Sequence, residues 1–325
     1  MFNLLNWIIK PAACWAMSAS EVGITATSSS GTVKSQRKLR FAFVSTCVGY
    51  SFFDTVKKGM EDAAAALGVE CEYMGTPGVD AKAQAEMVRQ SVADGYDGIA
   101  VSIIDPQAFD EVVREATRKG VPVVAFNEDN QHGHNTRLAS VCQNFYQAGQ
   151  TLGKESSAFV AEKQKILMTM HDAHVSALED RLRGAQDVLT TREVEWQVLI
   201  TGTERDKAMA RIREALTSNP EIKAVLSTGQ ADTEAAGLVL EKYFPAADYA
   251  AAGFDLSPET LRLIRKGIIR FTIDQQPYAQ GFYPVVQLAL YCRFGIRPSD
   301  IDAGAALITA ANCDSVMDLC RQKYR

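Results

Sequence analysis

The chain has 325 residues, 47% of them hydrophobic and 22% charged, with a formal net charge of -5. That length exceeds what one compact core usually holds, so two lobes are the first expectation. The acidic balance and the lack of any basic stripe exclude nucleic acid as a partner.

Residues 1–38 read as a leader and linker. The apolar run 2–9 stops at Lys10 and Pro11, well short of the ~18 residues that a membrane-spanning helix needs. A Ser/Thr/Gly-rich stretch follows. The shape is that of an atypical signal peptide, with no Lys or Arg ahead of its apolar run, and it points to export. Ala12-Ala13-Cys14 weakly resembles a lipoprotein cleavage site.

From Leu39 the pattern becomes regular. Strands are expected at 39–44, 69–74, 98–103 and 121–126. The helices between them are expected at 54–67, 81–93 and 107–119, with Gly68, Gly95 and Gly120 as stops. A helix at 144–161 opens the second run. Strands at 166–170, 196–200, 224–227, 249–254 and 269–273 then alternate with helices at 177–189, 205–217, 232–243, 258–266 and 277–291. Strands alternating with amphipathic helices imply parallel sheets covered on both faces. Two such runs of about five strands each give two doubly wound lobes, an α/β architecture.

In that architecture ligands sit beyond the carboxyl ends of the strands. The residues there are rich in hydroxyls, amides and carboxylates: Ser45, Thr46, Asp105, Asn127, Glu128, His171, Asp172, Thr228, Gln230, Asp255, Asp274, Gln275 and Gln276. Such groups suit a hydroxyl-rich ligand, since each engages neighbouring hydroxyls and rejects molecules lacking them. Phe52 and Phe53 follow the first strand. They either cover the C–H face of a sugar or belong to the core under the first helix.

Other chemistries find little support. No GxGxxG follows a strand, and neither a P-loop nor a GxSxG elbow occurs. The seven cysteines (Cys14, Cys47, Cys71, Cys142, Cys292, Cys313 and Cys320) form no CxxC pair. Cys313 and Cys320, seven residues apart, would lie about 10 Å apart on a helix, too far for a disulfide. A metal would need His132 and His134 to converge with His171 and His174. No metal, cofactor or catalytic activity is expected.

Four segments carry a resemblance: Val44-Ser45-Thr46 with Phe52-Phe53, Asp180-Arg181-Leu182-Arg183-Gly184, Gly253-Phe254-Asp255, and Phe271-Thr272-Ile273-Asp274-Gln275-Gln276-Pro277-Tyr278. In order and position they resemble the type I periplasmic sugar-binding proteins, the ribose-binding protein family. The likeness spans 39 to about 308, and the last segment is similar to a subgroup carrying Asp-Gln-Gln-Pro-Tyr. The resemblance implies two lobes joined by a three-segment hinge that close over one ligand. It places the first lobe at 39–144 plus 276–305 and the second at 145–275 plus 306–325.

By the same resemblance, Ser45, Phe52, Phe53, Asn127 and Glu128 contribute from the first lobe, and Arg181, Asp255 and Gln275 from the second. Gln230 and Asp232 lie near a family Asn-Asp pair. Asn127 stands where the ribose binder has aspartate, and Glu128 where it has arginine, so another sugar, a polyol or a sugar derivative is implied rather than ribose. Together with His171, these are the eleven candidate contacts. The implied function is a periplasmic, monomeric solute-binding component handing a sugar or polyol to an ABC permease and its ATPase. The alternatives are a periplasmic sensor docking on a histidine kinase and, less favoured, a lac-repressor-like regulator, which needs a helix-turn-helix ahead of the first strand.

Overall fold

A computed structural model of the chain describes residues 37–325 other than 132, 134, 174, 246 and 247. The leader through residue 36, Cys14, and the histidines His132, His134 and His174 lie outside the described residues.

The first run begins β1 (Arg40–Val44), α1 (Phe52–Leu67), β2 (Glu70–Met74), α2 (Ala81–Ala93), β3 (Gly98–Val101), α3 (Pro106–Arg118) and β4 (Val123–Asn127). It ends in β5 (Ala139–Cys142), a short strand absent from the sequence reading. The second run is α4 (Phe145–Ser156), β6 (Lys165–Met170), α5 (Ser176–Thr190), β7 (Glu195–Ile200), α6 (Arg205–Ser218), β8 (Ala224–Ser227), α7 (Gln230–Tyr243), β9 (Ala250–Phe254), α8 (Pro258–Arg265) and β10 (Ile269–Asp274). Then come α9 (Pro277–Phe294), β11 (Ile301–Asp302), β12 (Ala306–Thr309) and α10 (Cys313–Arg321).

Local chemistry places the boundaries. The side chains of Asp80, Asp105, Asn144 and Ser257 accept backbone N–H groups at the starts of α2, α3, α4 and α8. Prolines open α3, α8 and α9, where their missing N–H costs nothing. Gly68 closes α1 in the left-handed region at φ 62. Strands β1, β3, β4, β5, β8 and β9 are buried almost throughout, which explains their unbroken apolar runs.

The strands form two sheets, ordered β11-β5-β4-β3-β1-β2 and β12-β10-β9-β8-β6-β7. Each has six strands rather than five. The late strands β11 and β12 return one to each sheet, and β12 is antiparallel to β10. Apart from these two, both sheets run 2-1-3-4-5 in their own order. The strand sequence therefore reverses between β1 and β3 and again between β6 and β8. Those two switch points are where a doubly wound sheet opens a crevice.

The chain passes between the sheets three times: after Cys142, after Asp274 and after Asp302. Hydrogen bonds tie these crossings together. Gln143 Nε2 donates to the Gly304 carbonyl and Gln276 Nε2 to the Ala303 carbonyl, both at 2.8 Å, and Ala303 N donates to the Cys142 carbonyl at 2.9 Å. Helix α10 buries Cys313, Val316, Met317 and Cys320 in the second lobe's core. Both of its cysteines are free thiols, as are the other described cysteines.

Two helix pairs approach unusually closely, α4 with α5 and α1 with α9. A Cβ on Gly184 would stand 2.1 Å from the Tyr146 carbonyl oxygen, and one on Gly149 would stand 2.2 Å from that of Arg181. Backbone lies at both points, so neither contact can be relieved by a rotamer. Gly184→Ala should therefore push α5 away from α4 and cost about 1–3 kcal/mol. Because Arg181 lies one turn earlier on α5, ligand affinity should fall as well. Thermal denaturation and calorimetric titration read the two effects separately, and an unchanged melting temperature would refute the close-packing argument.

Candidate functional site

A cavity of about 370 Å³ lies between the two sets of strand ends. Nine of the eleven candidate residues line it: Phe52, Phe53, Asn127 and Glu128 from the first lobe, and His171, Arg181, Gln230, Asp255 and Gln275 from the second. Ser45 and Asp232 stand behind the wall. Ser45 Oγ accepts from Tyr73 Oη at 2.7 Å and donates to the Cys47 carbonyl at 3.2 Å. Asp232 is fully buried. It accepts from Thr169 Oγ1 at 2.9 Å and the Thr228 amide at 3.0 Å, and it faces His171 Nδ1 at 3.4 Å.

Each wall is built by its strand ends. Asn127 closes β4 at φ 61 and Asp255 follows β9 at φ 70. This left-handed backbone, which Asn and Asp tolerate best, turns the chain sharply into the crevice. Phe52 and Phe53 occupy the first turn of α1 with rings edge to face, centroids 5.1 Å apart. Phe53 is 7% exposed and also belongs to the first lobe's core, so the ring works on both sides.

A line of amides crosses the hinge. Asn127 Nδ2 donates to Gln280 Oε1 at 3.1 Å, Gln280 Nε2 donates to Gln275 Oε1 at 3.1 Å, and Gln275 Nε2 donates to Asp255 Oδ1 at 2.7 Å. Gln280, on α9 of the first lobe, thus fixes residues of both lobes. Arg181 is held in a similar way. Its Nε and Nη2 donate to Gln143 Oε1 at 3.1 and 2.8 Å, its Nη1 donates to the Thr228 carbonyl at 2.9 Å, and its guanidinium lies 4.2 Å from the Phe254 ring centre. Three of five N–H groups are thereby used, leaving two for a ligand.

Gln143 and Gln280 were missed by the sequence reading. One lies in a crossing segment and the other inside a helix, and neither follows a strand that the pattern identified. The available signal was a glutamine four residues beyond Gln276, within a largely apolar helix.

The charged groups bear on one another. Burial pushes the Glu128 carboxyl up to about 7, against the pull of Arg181 and His171. One of its oxygens, Oε2, is buried without a hydrogen-bond partner. Burial also raises Asp255, partly offset by Arg181 and Gln275, and lowers Arg181, partly offset by Asp255 and Glu128. For His171 burial opposes the charged ring, but its hydrogen bond to Asp232 and the surrounding carboxylates outweigh it and raise its pKa. Arg205 at the rim is ion-paired with Glu234.

At the mouth the lobes touch. Tyr50 Oη donates to Thr203 Oγ1, and Ser51 Oγ donates to Gln230 Oε1, both at 3.2 Å. Such an enclosure, polar at its walls and capped by two phenyl rings, can desolvate a small molecule and saturate several of its hydrogen-bonding groups.

The model of the periplasmic binding protein domain matches residues 41–295. A xylose/arabinose-binding protein, XylF, of Sulfolobus acidocaldarius is 28% identical over 87% of this chain and 74% of its own length. The D-allose-binding periplasmic protein of Escherichia coli is 22% identical over 73% of this chain and 79% of its own. Among solved structures, a carbohydrate transporter from Acidothermus cellulolyticus in complex with myo-inositol superposes with a TM-score of 0.81 at 26% identity, covering 89% of this chain and 100% of that one.

Proposed function

Because this chain belongs to the periplasmic binding protein domain family, we propose that it is the extracytoplasmic solute-binding component of an ABC importer, closing on a monosaccharide or polyol. The observation that carries this reading is the convergence of Asn127, Glu128, Arg181, Asp255 and Gln275 from two sheets on one aromatic-capped cavity. The relatives bear names for pentose and allose binding, and the solved neighbour holds an inositol; all are uncharged and rich in hydroxyls. The nine lining residues contact the ligand, and Ser45 and Asp232 brace them from behind. The lobes comprise 39–144 plus 276–305 and 145–275 plus 306–325, hinging at the three crossings. Closure presents the surface that the permease reads. Export to the periplasm and a monomeric state belong to the same reading, and a relative named as a transporter binding protein favours transport over sensing.

A thermal-shift panel of pentoses, hexoses, inositols and alditols tests this. A matching ligand at a hundredfold excess over Kd should stabilise the native state by about 2.7 kcal/mol, and small-angle scattering should show compaction of the ligand-free ensemble. A panel without any shift, or unchanged scattering with a tight ligand, defeats the reading.

A further inference from the structure

We infer that Glu128 determines the class of ligand: it accepts hydrogen bonds from hydroxyls of an uncharged sugar or polyol and excludes derivatives carrying a carboxylate or phosphate at that end. This rests on the binding function proposed above and goes beyond it by fixing the charge of the ligand.

The observation is one unsatisfied atom. Glu128 is 6% exposed, lines the cavity, and keeps Oε2 buried without a partner. A buried polar atom left unmade is costly, and a ligand donor is what would complete it. The Ala177 amide, in the first turn of α5, lies near enough to the carboxyl to act on it from the second lobe. The arrangement therefore forms across the closed cleft.

The surrounding charges decide between candidate donors. Arg181 lies close enough to act on Glu128, so an ammonium group there would meet a cationic neighbour. Above about pH 7, where Glu128 is ionised, an anion would face like charge in a desolvated site, which is strongly disfavoured. The neutral hydroxyl suffers neither penalty. A hydrogen bond to a carboxylate is also roughly twice as strong as one between neutral groups. Arg181 keeps two N–H groups for a ligand, which hydroxyl oxygens can fill, and the carboxylates of Asp255, Glu128 and Asp232 already balance its charge.

Calorimetric titration of the full chain tests the inference, using the neutral compounds of the panel above against their aldonic acids and monophosphates. At pH 8, where Glu128 is ionised, the wild-type protein should prefer the best neutral compound by at least about 100-fold. Glu128→Gln keeps the shape and removes the charge. It should weaken the neutral ligand by about 10-fold or more and narrow the neutral-to-anionic ratio by a similar factor. Equal wild-type affinity for an acid or phosphate overturns the inference, and so does a ratio unchanged in Glu128→Gln. Wild-type discrimination is measured without any variant, so a poorly folding Glu128→Gln cannot shield the claim; Glu128→Asp, which retains the charge, should retain the preference. If an anionic derivative binds tightly and closes the lobes, binding by closure survives and only the role of Glu128 falls. If nothing binds, the underlying function fails first.

Discussion

Asp255→Asn should lower ligand affinity by about 100-fold while leaving the melting temperature of the ligand-free protein unchanged or slightly raised. A hydrogen bond to a charged acceptor contributes about 1.5–3 kcal/mol, and the amide cannot replace a carboxylate toward ligand hydroxyls. The folded state, by contrast, gains from the substitution. Burial already works against the Asp255 charge, and its Oδ1 is satisfied by Gln275 Nε2, which an asparagine oxygen would still accept. Asparagine also tolerates the φ of 70 that this position requires, whereas Asp255→Ala would add backbone strain to the loss of binding. Calorimetric titration and scanning calorimetry on the same preparation separate the outcomes. A large loss of stability with intact affinity would make Asp255 a structural residue.

The same residue shows why much of the site was legible beforehand. A doubly wound sheet converts a one-dimensional fact, that Asp255 follows a buried strand, into a three-dimensional one. Asn127, Glu128, His171 and Gln275 are legible for the same reason, since each lies at the end of a largely buried strand. Arg181 is different. It lies on a helix, and only the resemblance to sugar binders, not its spacing, marked it.

What stayed hidden was whatever depends on two distant segments meeting. Strand β5 is four residues, Ala-Ser-Val-Cys, and β11 is two, too short for any periodicity to register. Both exist because a neighbouring edge was waiting for them. Helix α1 begins at Phe52 rather than 54, and its N-cap Ser51 makes no side-chain capping hydrogen bond. That shift matters, since it puts both phenyl rings on the first helical turn at the cavity. Gln143 and Gln280 are polar residues distinguished by partners that lie far away in sequence.

The ligand-free protein should also be more stable at pH 5 than at pH 8. An unfolded glutamate ionises near 4.5, but Glu128 in the folded chain does so only at about 7. Between those values the native state holds a proton that the unfolded state has lost, so stability is full below the window and falls as pH rises through it. The gap corresponds to a contribution on the order of 3 kcal/mol. The neighbouring groups act in the same direction. Asp255 is raised by burial, and His171, raised chiefly by Asp232, keeps its proton above its ordinary value in the fold. Arg181 and Asp172, the other charges bearing on Glu128, pull it in opposite directions, and Arg181 stays protonated throughout. Paired surface carboxylates such as Glu241 and Asp62 have depressed pKa values and lose their contribution only in more acidic solution, so they shape a separate acid limb. Melting temperatures at pH 5, 6, 7 and 8 should descend, and Glu128→Gln should flatten the slope. A ligand that donates to Glu128 bonds more strongly to the ionised carboxyl, so binding should release a proton near neutrality and stabilise the protein more at pH 8 than at pH 5. A melting temperature that climbs from pH 5 to pH 8 in the empty protein would mean that Glu128 is solvated and ionised, and the cavity's unfilled acceptor would not exist.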